Sequence, residues 1–79
     1  MMEETTQYIT TDLYLAAFLK TKGHIILIEK NGNKFNFIFN SSDEFFVDVN
    51  SYLLGNGSCD ALSYSNSIKN LKNYLHNNK

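Results

Sequence analysis

The dipeptide Asn31-Gly32 is the feature that most narrows the possible folds of this chain, because segments rich in β-branched and aromatic residues lie on both sides of it. Asn-Gly is the favoured pair for a two-residue type I′ turn, since both residues tolerate the positive φ that this turn requires. The sequence therefore predicts a β-hairpin that turns at these two residues. Counted outward from the turn, the predicted pairs are Lys30 with Asn33, Glu29 with Lys34, Ile28 with Phe35, Leu27 with Asn36, Ile26 with Phe37, Ile25 with Ile38 and His24 with Phe39.

The predicted hairpin has an aromatic face and a mixed face, because side chains alternate along a strand. A one-residue slip would mix the two faces and separate the oppositely charged pair Glu29 and Lys34. We expect the aromatic face to be core, since large apolar side chains are the ones that folding buries. Residues 34–39 loosely resemble an RNA-stacking strand, but that interpretation would leave too little apolar surface for a core. The aromatic face contains Ile26, Ile28, Phe35, Phe37 and Phe39, and the second face contains Ile25, Leu27, Asn36, Ile38 and the charge pair.

A first helix is predicted before the hairpin. Thr10 or Thr11 is expected to cap it, with Asp12 in the first turn near the positive end of the helix dipole. Gly23 is expected to end it, because glycine readily adopts the left-handed conformation that follows a helix. Apolar residues over 13–19 cover nearly every direction around the axis. We therefore expect this helix to be buried on more than one side.

Two further helices are predicted after the hairpin. Ser41 and Glu44 have the spacing of a capping box, and Gly55 is expected to end this second helix. The third helix is expected to start near Ser58 or Asp60. Apolar residues recur at helical spacing in both segments. They are Phe45, Phe46, Val49, Tyr52 and Leu53 in the second helix, and Tyr64, Ile68, Leu71 and Leu75 in the third.

These elements predict one small α+β domain of order α-β-β-α-α, with an antiparallel β-hairpin packed against helices. Residues 1–9 are expected to be a flexible or extended segment, able to lie along a sheet edge, before a compact domain at residues 10–79. The two C-terminal helices are expected to cover the aromatic face. The second face must then meet the first helix, the N-terminal segment or another chain. Because an uncovered apolar patch on a small domain usually marks an interface, we predict a homodimer through the first helix or this second face.

The charge of the chain argues against nucleic acid as its main partner. Seven basic and eight acidic residues give a formal net charge of −1, and every basic residue is lysine. Arginine is the preferred side chain for phosphate and guanine, and nucleic-acid binders usually carry a basic excess. Weak nucleic-acid binding through the last helix remains the alternative, although such a face is more often simply solvated. The lysines concerned are Lys69, Lys72 and Lys79.

No residue pattern predicts catalysis, a cofactor or a metal. Cys59 is the only cysteine, which excludes an internal disulfide and fits a reducing compartment. A Cys–His site would need a base beside the thiol, but His24 is predicted at the hairpin end and His76 in the last helical turn. The segment from Gly55 to Ser58 precedes a helix, yet it lacks the longer glycine pattern of a phosphate loop. No apolar run is long enough to cross a bilayer and no basic leader is present, so the sequence predicts a cytoplasmic protein. Because no residue pattern supports catalysis, the protein is also predicted not to be an enzyme.

A resemblance to a known family lies in the first helix. Residues 10–19 (TTDLYLAAFL), closed by Gly23, resemble the N-terminal motif of a small phage and prokaryotic family known as domain of unknown function 5659. The resemblance continues through the strand at residues 37–39, the acidic turn and helix after it, and the last helix with Leu71-Lys72. It covers most of residues 8–75. It implies a compact α+β domain often encoded by phages or other mobile elements, and it implies no activity, cofactor or site.

We therefore expect a non-enzymatic module that acts by binding a protein. If it is encoded by a phage, it could inhibit a host enzyme or defence complex, or regulate phage assembly or transcription. Weak nucleic-acid binding is the alternative, and an enzyme that uses Cys59 ranks third. The residues expected at the contact surface, where the core does not consume them, are Tyr14, Phe18, Ile25, Leu27 and Ile38.

Overall fold

The computed structural model describes residues 6–55 and 57–78, which form three strands and three helices. In chain order the elements are β1 (Gln7–Thr10), α1 (Leu13–Thr21), β2 (Leu27–Asn31), β3 (Lys34–Asn40), α2 (Asp43–Leu53) and α3 (Ala61–Asn77). The α+β prediction is confirmed. The predicted order α-β-β-α-α is completed by one strand at the N-terminal end.

Strand β1 lies at one edge of a three-stranded antiparallel sheet of order β1-β3-β2. Its four residues, Gln7–Thr10, pair with β3. The pairing extends one step further, because the backbone N–H of Ser41 donates to the Thr6 carbonyl at 2.9 Å. The N-terminal segment is thus extended along the sheet edge over these residues, and the folded domain begins before residue 10. Residues 1–5, for which we predicted mobility, lie outside the described residues.

The hairpin forms, but its register differs by two residues from the predicted one. Residues 32–33 make the turn, and Gly32 has φ +65°. Glycine with positive φ at the first central position is typical of a type II′ turn, whereas the predicted type I′ turn needs positive φ at both central residues. Glu29 consequently faces Asn36 and not Lys34, while the even shift leaves the paired side chains on their predicted faces. The predicted pairing of residues 24–26 is not observed, because β2 begins at Leu27. The observed pairs are Leu27 with Ile38, Ile28 with Phe37, Glu29 with Asn36, Lys30 with Phe35 and Asn31 with Lys34.

The aromatic face of the sheet is the floor of the hydrophobic core. Phe37 and Phe39 are almost fully buried there, and Phe45 of α2 packs its ring 5.5 Å from that of Phe39. Helix α1 joins the same core with an unbroken buried run, residues 15–19, which confirms that it is covered on more than one side. All three helices therefore lie on one side of the sheet. The core residues are Leu15, Ala16, Ala17, Phe18, Leu19, Phe37, Phe39, Phe45, Val49 and Leu71.

The N-cap of α1 is Asp12 and neither of the predicted threonines. Its Oδ1 accepts the N–H groups of Tyr14 and Leu15 at 3.0 and 3.2 Å. Thr10 ends β1 instead, and its Oγ1 accepts the N–H of Asp12. At the other end, Gly23 has φ +100° and the backbone amides of residues 23–24 close a Schellman motif, as predicted for a glycine stop.

Ser42 and not Ser41 caps α2, with its Oγ accepting the N–H of Phe45 at 3.1 Å. Ser41 is held by the sheet, because its backbone and its hydroxyl both bond Thr6. Glu44 is then the second helical residue and not the third, so the predicted capping box does not form.

Helix α3 starts after Asp60, in agreement with one of the two predicted starts. The Asp60 carboxylate accepts the N–H of Ser63 at 2.8 Å, and this hydrogen bond lowers the pKa of Asp60. Further along, the buried hydroxyl of Ser67 lies 2.9 Å from that of Thr21 and joins α3 to α1. The predicted apolar stripe packs on the core, with Leu71 buried and Tyr64, Ile68 and Leu75 partly buried.

Candidate protein-interaction surface

The face of the sheet opposite the helices carries a row of aliphatic side chains. Ile38 of the central strand lies between its two pairing partners, Ile9 of β1 and Leu27 of β2. Ile9 is 56% exposed, Leu27 is 61% exposed, and Ile38 is half-buried between them. Ile25, two positions before Leu27, is 83% exposed. We call these four residues the open sheet face.

Strand alternation explains why these side chains face outward. Ile28 packs against the core, so Leu27, its neighbour in β2, points the other way. Ile25 precedes β2 and is exposed, whereas its neighbour Ile26 packs against the core. An antiparallel sheet covered on one side normally carries polar residues on its other side. Here three neighbouring strands each contribute an aliphatic side chain at the same level, with strands about 4.8 Å apart. A contiguous apolar patch of this kind marks a contact site more often than scattered exposed residues do.

Polar side chains border the open sheet face. Glu29 pairs with Asn36 on the same side of the sheet, one step nearer the turn than the aliphatic row. Gln7 pairs with Asn40 at the opposite end. An apolar centre with a polar, solvent-accessible rim is the usual anatomy of a protein interface.

The five residues predicted for the contact surface do not lie together. Ile25, Leu27 and Ile38 share the open sheet face. Tyr14 is 49% exposed but belongs to α1 in the helical layer. Phe18 is only 3% exposed and is part of the core, so it is one of the predicted residues that the core consumes and it does not belong to the contact surface.

Sequence reasoning missed Ile9, which completes the row. Its flanking residues are β-prone, and that pattern did indicate an extended segment. The pattern does not reveal which strand β1 joins or in which register. Only the pairing of Ile9 with Ile38 places the side chain beside Leu27.

The candidate chemical groups are dispersed. His24 Nε2 lies 2.7 Å from Oδ2 of Asp48 on α2, a hydrogen-bond contact that the sequence did not predict. His24 also contacts the Phe45 ring edge-on, so it ties the start of the hairpin to α2. Cys59 is half-buried among aromatic side chains, and His76 is exposed in the last turn of α3. Within residues 6–55 and 57–78, no three His, Cys, Asp or Glu side chains come together as a metal site.

The lysines named for nucleic-acid binding lie on α3. Lys69 and Lys72 are both exposed, and the Lys72 ammonium lies 5.7 Å from the centre of the Tyr14 ring. Lys79 falls outside the described residues. None of the helices in the described part of the chain combines the length and hydropathy needed to cross a bilayer.

The fold and this surface define a two-layer α+β domain, with helices on one side of a small sheet and an aliphatic surface on the other. A family model described as "Domain of unknown function (DUF5659)" matches residues 5–77. The chain therefore belongs to this family, as the motif in the first helix predicted. No curated protein and no solved structure matched it.

Proposed function

We propose that this chain is a non-enzymatic protein-binding module whose contact surface is the open sheet face. The observation that supports this most is the aliphatic row Ile9, Ile38 and Leu27, of which Ile9 and Leu27 are exposed, on a sheet whose other side is covered by three helices. Fully burying a large aliphatic side chain contributes roughly 1.5–3 kcal/mol, so covering the exposed parts of Ile9, Ile25 and Leu27 would contribute about 3–6 kcal/mol. A micromolar complex needs about 8 kcal/mol net, so the rim must add hydrogen bonds.

A second copy of the chain is the first occupant that we propose for this surface. The row is symmetric in composition about Ile38, with one aliphatic side chain on each neighbouring strand. If two sheets stack about a twofold axis parallel to β3, Ile9 of one protomer meets Leu27 of its partner, and the two Ile38 side chains meet each other. The formal net charge of −1 gives little repulsion between copies.

Light scattering coupled to size exclusion tests this with a matched pair of variants. Leu27→Lys places a charge in the aliphatic row, and Glu29→Lys places the same charge two residues away on the same strand and face. We expect a dimer for the wild type and for Glu29→Lys, and a monomer for Leu27→Lys with an unchanged circular dichroism spectrum. A wild type that stays monomeric at high concentration removes the homodimer, and a dimer that survives Leu27→Lys removes this face.

The same variants test whether the open sheet face binds a different protein. If the wild type is monomeric, affinity capture from the lysate of a bacterial host should retain a partner with the wild type and Glu29→Lys but not with Leu27→Lys. Unchanged capture by folded Leu27→Lys contradicts the proposed surface. A role against a host enzyme or defence complex rests on the family resemblance alone, and the identity of the captured protein is what decides it.

A further inference from the structure

A cavity of about 370 Å³ lies where α1, α2 and the start of α3 meet, away from the open sheet face. Three aromatic rings, those of Phe18, Tyr52 and Tyr64, line it. The Phe18 ring centre is 5.3 Å from that of Tyr52 and 6.4 Å from that of Tyr64, with the planes inclined by 47° and 81°. Phe18 is only 3% exposed, so the half-buried rings of Tyr52 and Tyr64 supply most of the aromatic surface that a ligand can reach.

Small residues keep this space open. Gly55, Gly57 and Ala61 line the cavity and place no long side chain in it. Gly57 is held directly against Phe18, since a Cβ at this position would lie 2.8 Å from the nearest ring carbon. A larger residue at position 57 would displace the aromatic wall.

The described lining residues are uncharged, and the charged groups nearby already have polar partners. Among the described residues that line the cavity, none is acidic or basic. The Lys22 ammonium donates to the Ser58 carbonyl at 3.0 Å, and the Asp60 carboxylate accepts the amide of Ser63. Burial raises the pKa of Tyr64, whose hydroxyl donates to the Tyr14 carbonyl at 3.2 Å and stays neutral. The Lys22 ammonium also lies 5.8 Å from the centre of the Phe18 ring, so it would repel a cationic ligand, and an anionic ligand would have to compete with the Ser58 carbonyl for it.

We propose that this cavity binds a neutral, planar aromatic molecule of one or two rings. Its volume lies at the lower end of the range of small-molecule sites, about 300–1,000 Å³. The half-buried rings of Tyr52 and Tyr64 favour a flat aromatic ligand, which can stack on a ring face or meet a ring edge. The hydroxyls of Tyr52 and Ser58 and the thiol of Cys59 are polar groups at the wall that can bond a single polar atom of the ligand. This inference is independent of the proposed protein contact, because the two surfaces share no residue.

Indole is a suitable probe, since it is neutral, planar and bicyclic with one N–H donor. We expect saturable amide shifts in an NMR titration of the full chain, concentrated at Gly57, Cys59 and Tyr64. For a fragment of this size the Kd should be on the order of 1 mM. Shifts that do not saturate, or that scatter over the molecule, overturn the site.

Variants that fill the cavity from its rim test whether indole binds there. Ala61 is the first residue of α3, so Ala61→Phe should abolish the saturable shifts, whereas Asn66→Phe, on an exposed position of the same helix, should preserve them. Ala61→Leu is the smaller filler to use if Ala61→Phe does not give a folded spectrum, and it should weaken binding at least tenfold. Binding that persists unchanged in the folded filled variant contradicts the proposal, and Leu27→Lys should leave it intact.

Discussion

Replacing Phe45 with alanine tests the packing argument at the point where sheet and helices meet. Phe45 is 0% exposed, and its ring centre lies 5.3 Å from that of Tyr8, 5.5 Å from that of Phe39 and 5.1 Å from that of His24. It thus contacts β1, β3 and the start of the hairpin from α2. Removing a buried phenylalanine destabilises a protein by about 3–5 kcal/mol, through lost transfer energy and the cavity that is left.

That loss is large for a chain of this size. At roughly 0.05–0.15 kcal/mol per residue, the whole domain should have a free energy of unfolding of about 4–12 kcal/mol. The neighbouring Phe46 is the matched control, because it is 45% exposed and also packs against Tyr8. Phe46→Ala removes only about half of a transfer free energy of roughly 1.5–3 kcal/mol, hence about 0.8–1.5 kcal/mol.

Urea unfolding followed by circular dichroism measures both values, with all variants at one protein concentration so that self-association contributes equally. We expect the midpoint of Phe45→Ala to fall at least twice as far as that of Phe46→Ala at a common m-value. Equal losses in the two variants would refute the assignment of Phe45 to the core and with it the docking of α2 on the sheet.

Four further outcomes are expected. Asp12→Ala should destabilise by about 1 kcal/mol and Asp12→Asn by much less, because asparagine also caps helices; urea midpoints decide between them. Gly32→Ala should destabilise by about 1 kcal/mol through its positive φ while Asn31→Ala does not, and equal losses at both positions would restore the type I′ turn. The pKa of Asp60 is lowered in the folded state, so its carboxylate stabilises the fold above the unfolded pKa, and this contribution disappears as pH falls through the folded pKa. The difference in stability between wild type and Asp60→Asn should therefore be present at about pH 7 and absent at about pH 2. A difference that persists in acid contradicts this expectation. Fluorescence anisotropy should show no steeply salt-dependent binding of DNA or RNA probes, and such binding would favour the alternative role of the α3 lysines.

The two faces of the hairpin could be predicted from the sequence, whereas its register could not. Alternation of apolar side chains fixes which residues share a face, but two registers that differ by two residues preserve that alternation equally. The choice between them depends on the turn, where Gly32 accepts positive φ more easily than Asn31, and on β1, which pairs along the other side of β3. Neither the energetic difference between the turns nor the pairing of β1 with β3 can be predicted from a local pattern.

The candidate surface, too, could be predicted from the sequence only in part. Ile25, Leu27 and Ile38 could be assigned to one face because their sequence periodicity is local. Ile9 lies on this face only because β1 pairs with β3, two segments that are distant in the sequence. Phe18 does not lie on it, because α1 packs in the hydrophobic core. The observed helix caps differ from the predicted ones by a residue or two. For α2 the reason is again a distant contact, because Ser41 forms hydrogen bonds to Thr6 across the sheet and helix-capping rules do not include such a contact.

The position of β3 between β1 and β2 has a consequence for the kinetics of folding. β2 and β3 are joined by a tight turn and can pair within microseconds, but β1 must wait for partners about thirty positions later in the chain. Until β1 arrives, the flank of β3 presents unpaired amides and carbonyls beside Phe37 and Phe39. During synthesis the strand made first is therefore the last to be placed, and that interval is when the nascent chain is most exposed to aggregation through this edge.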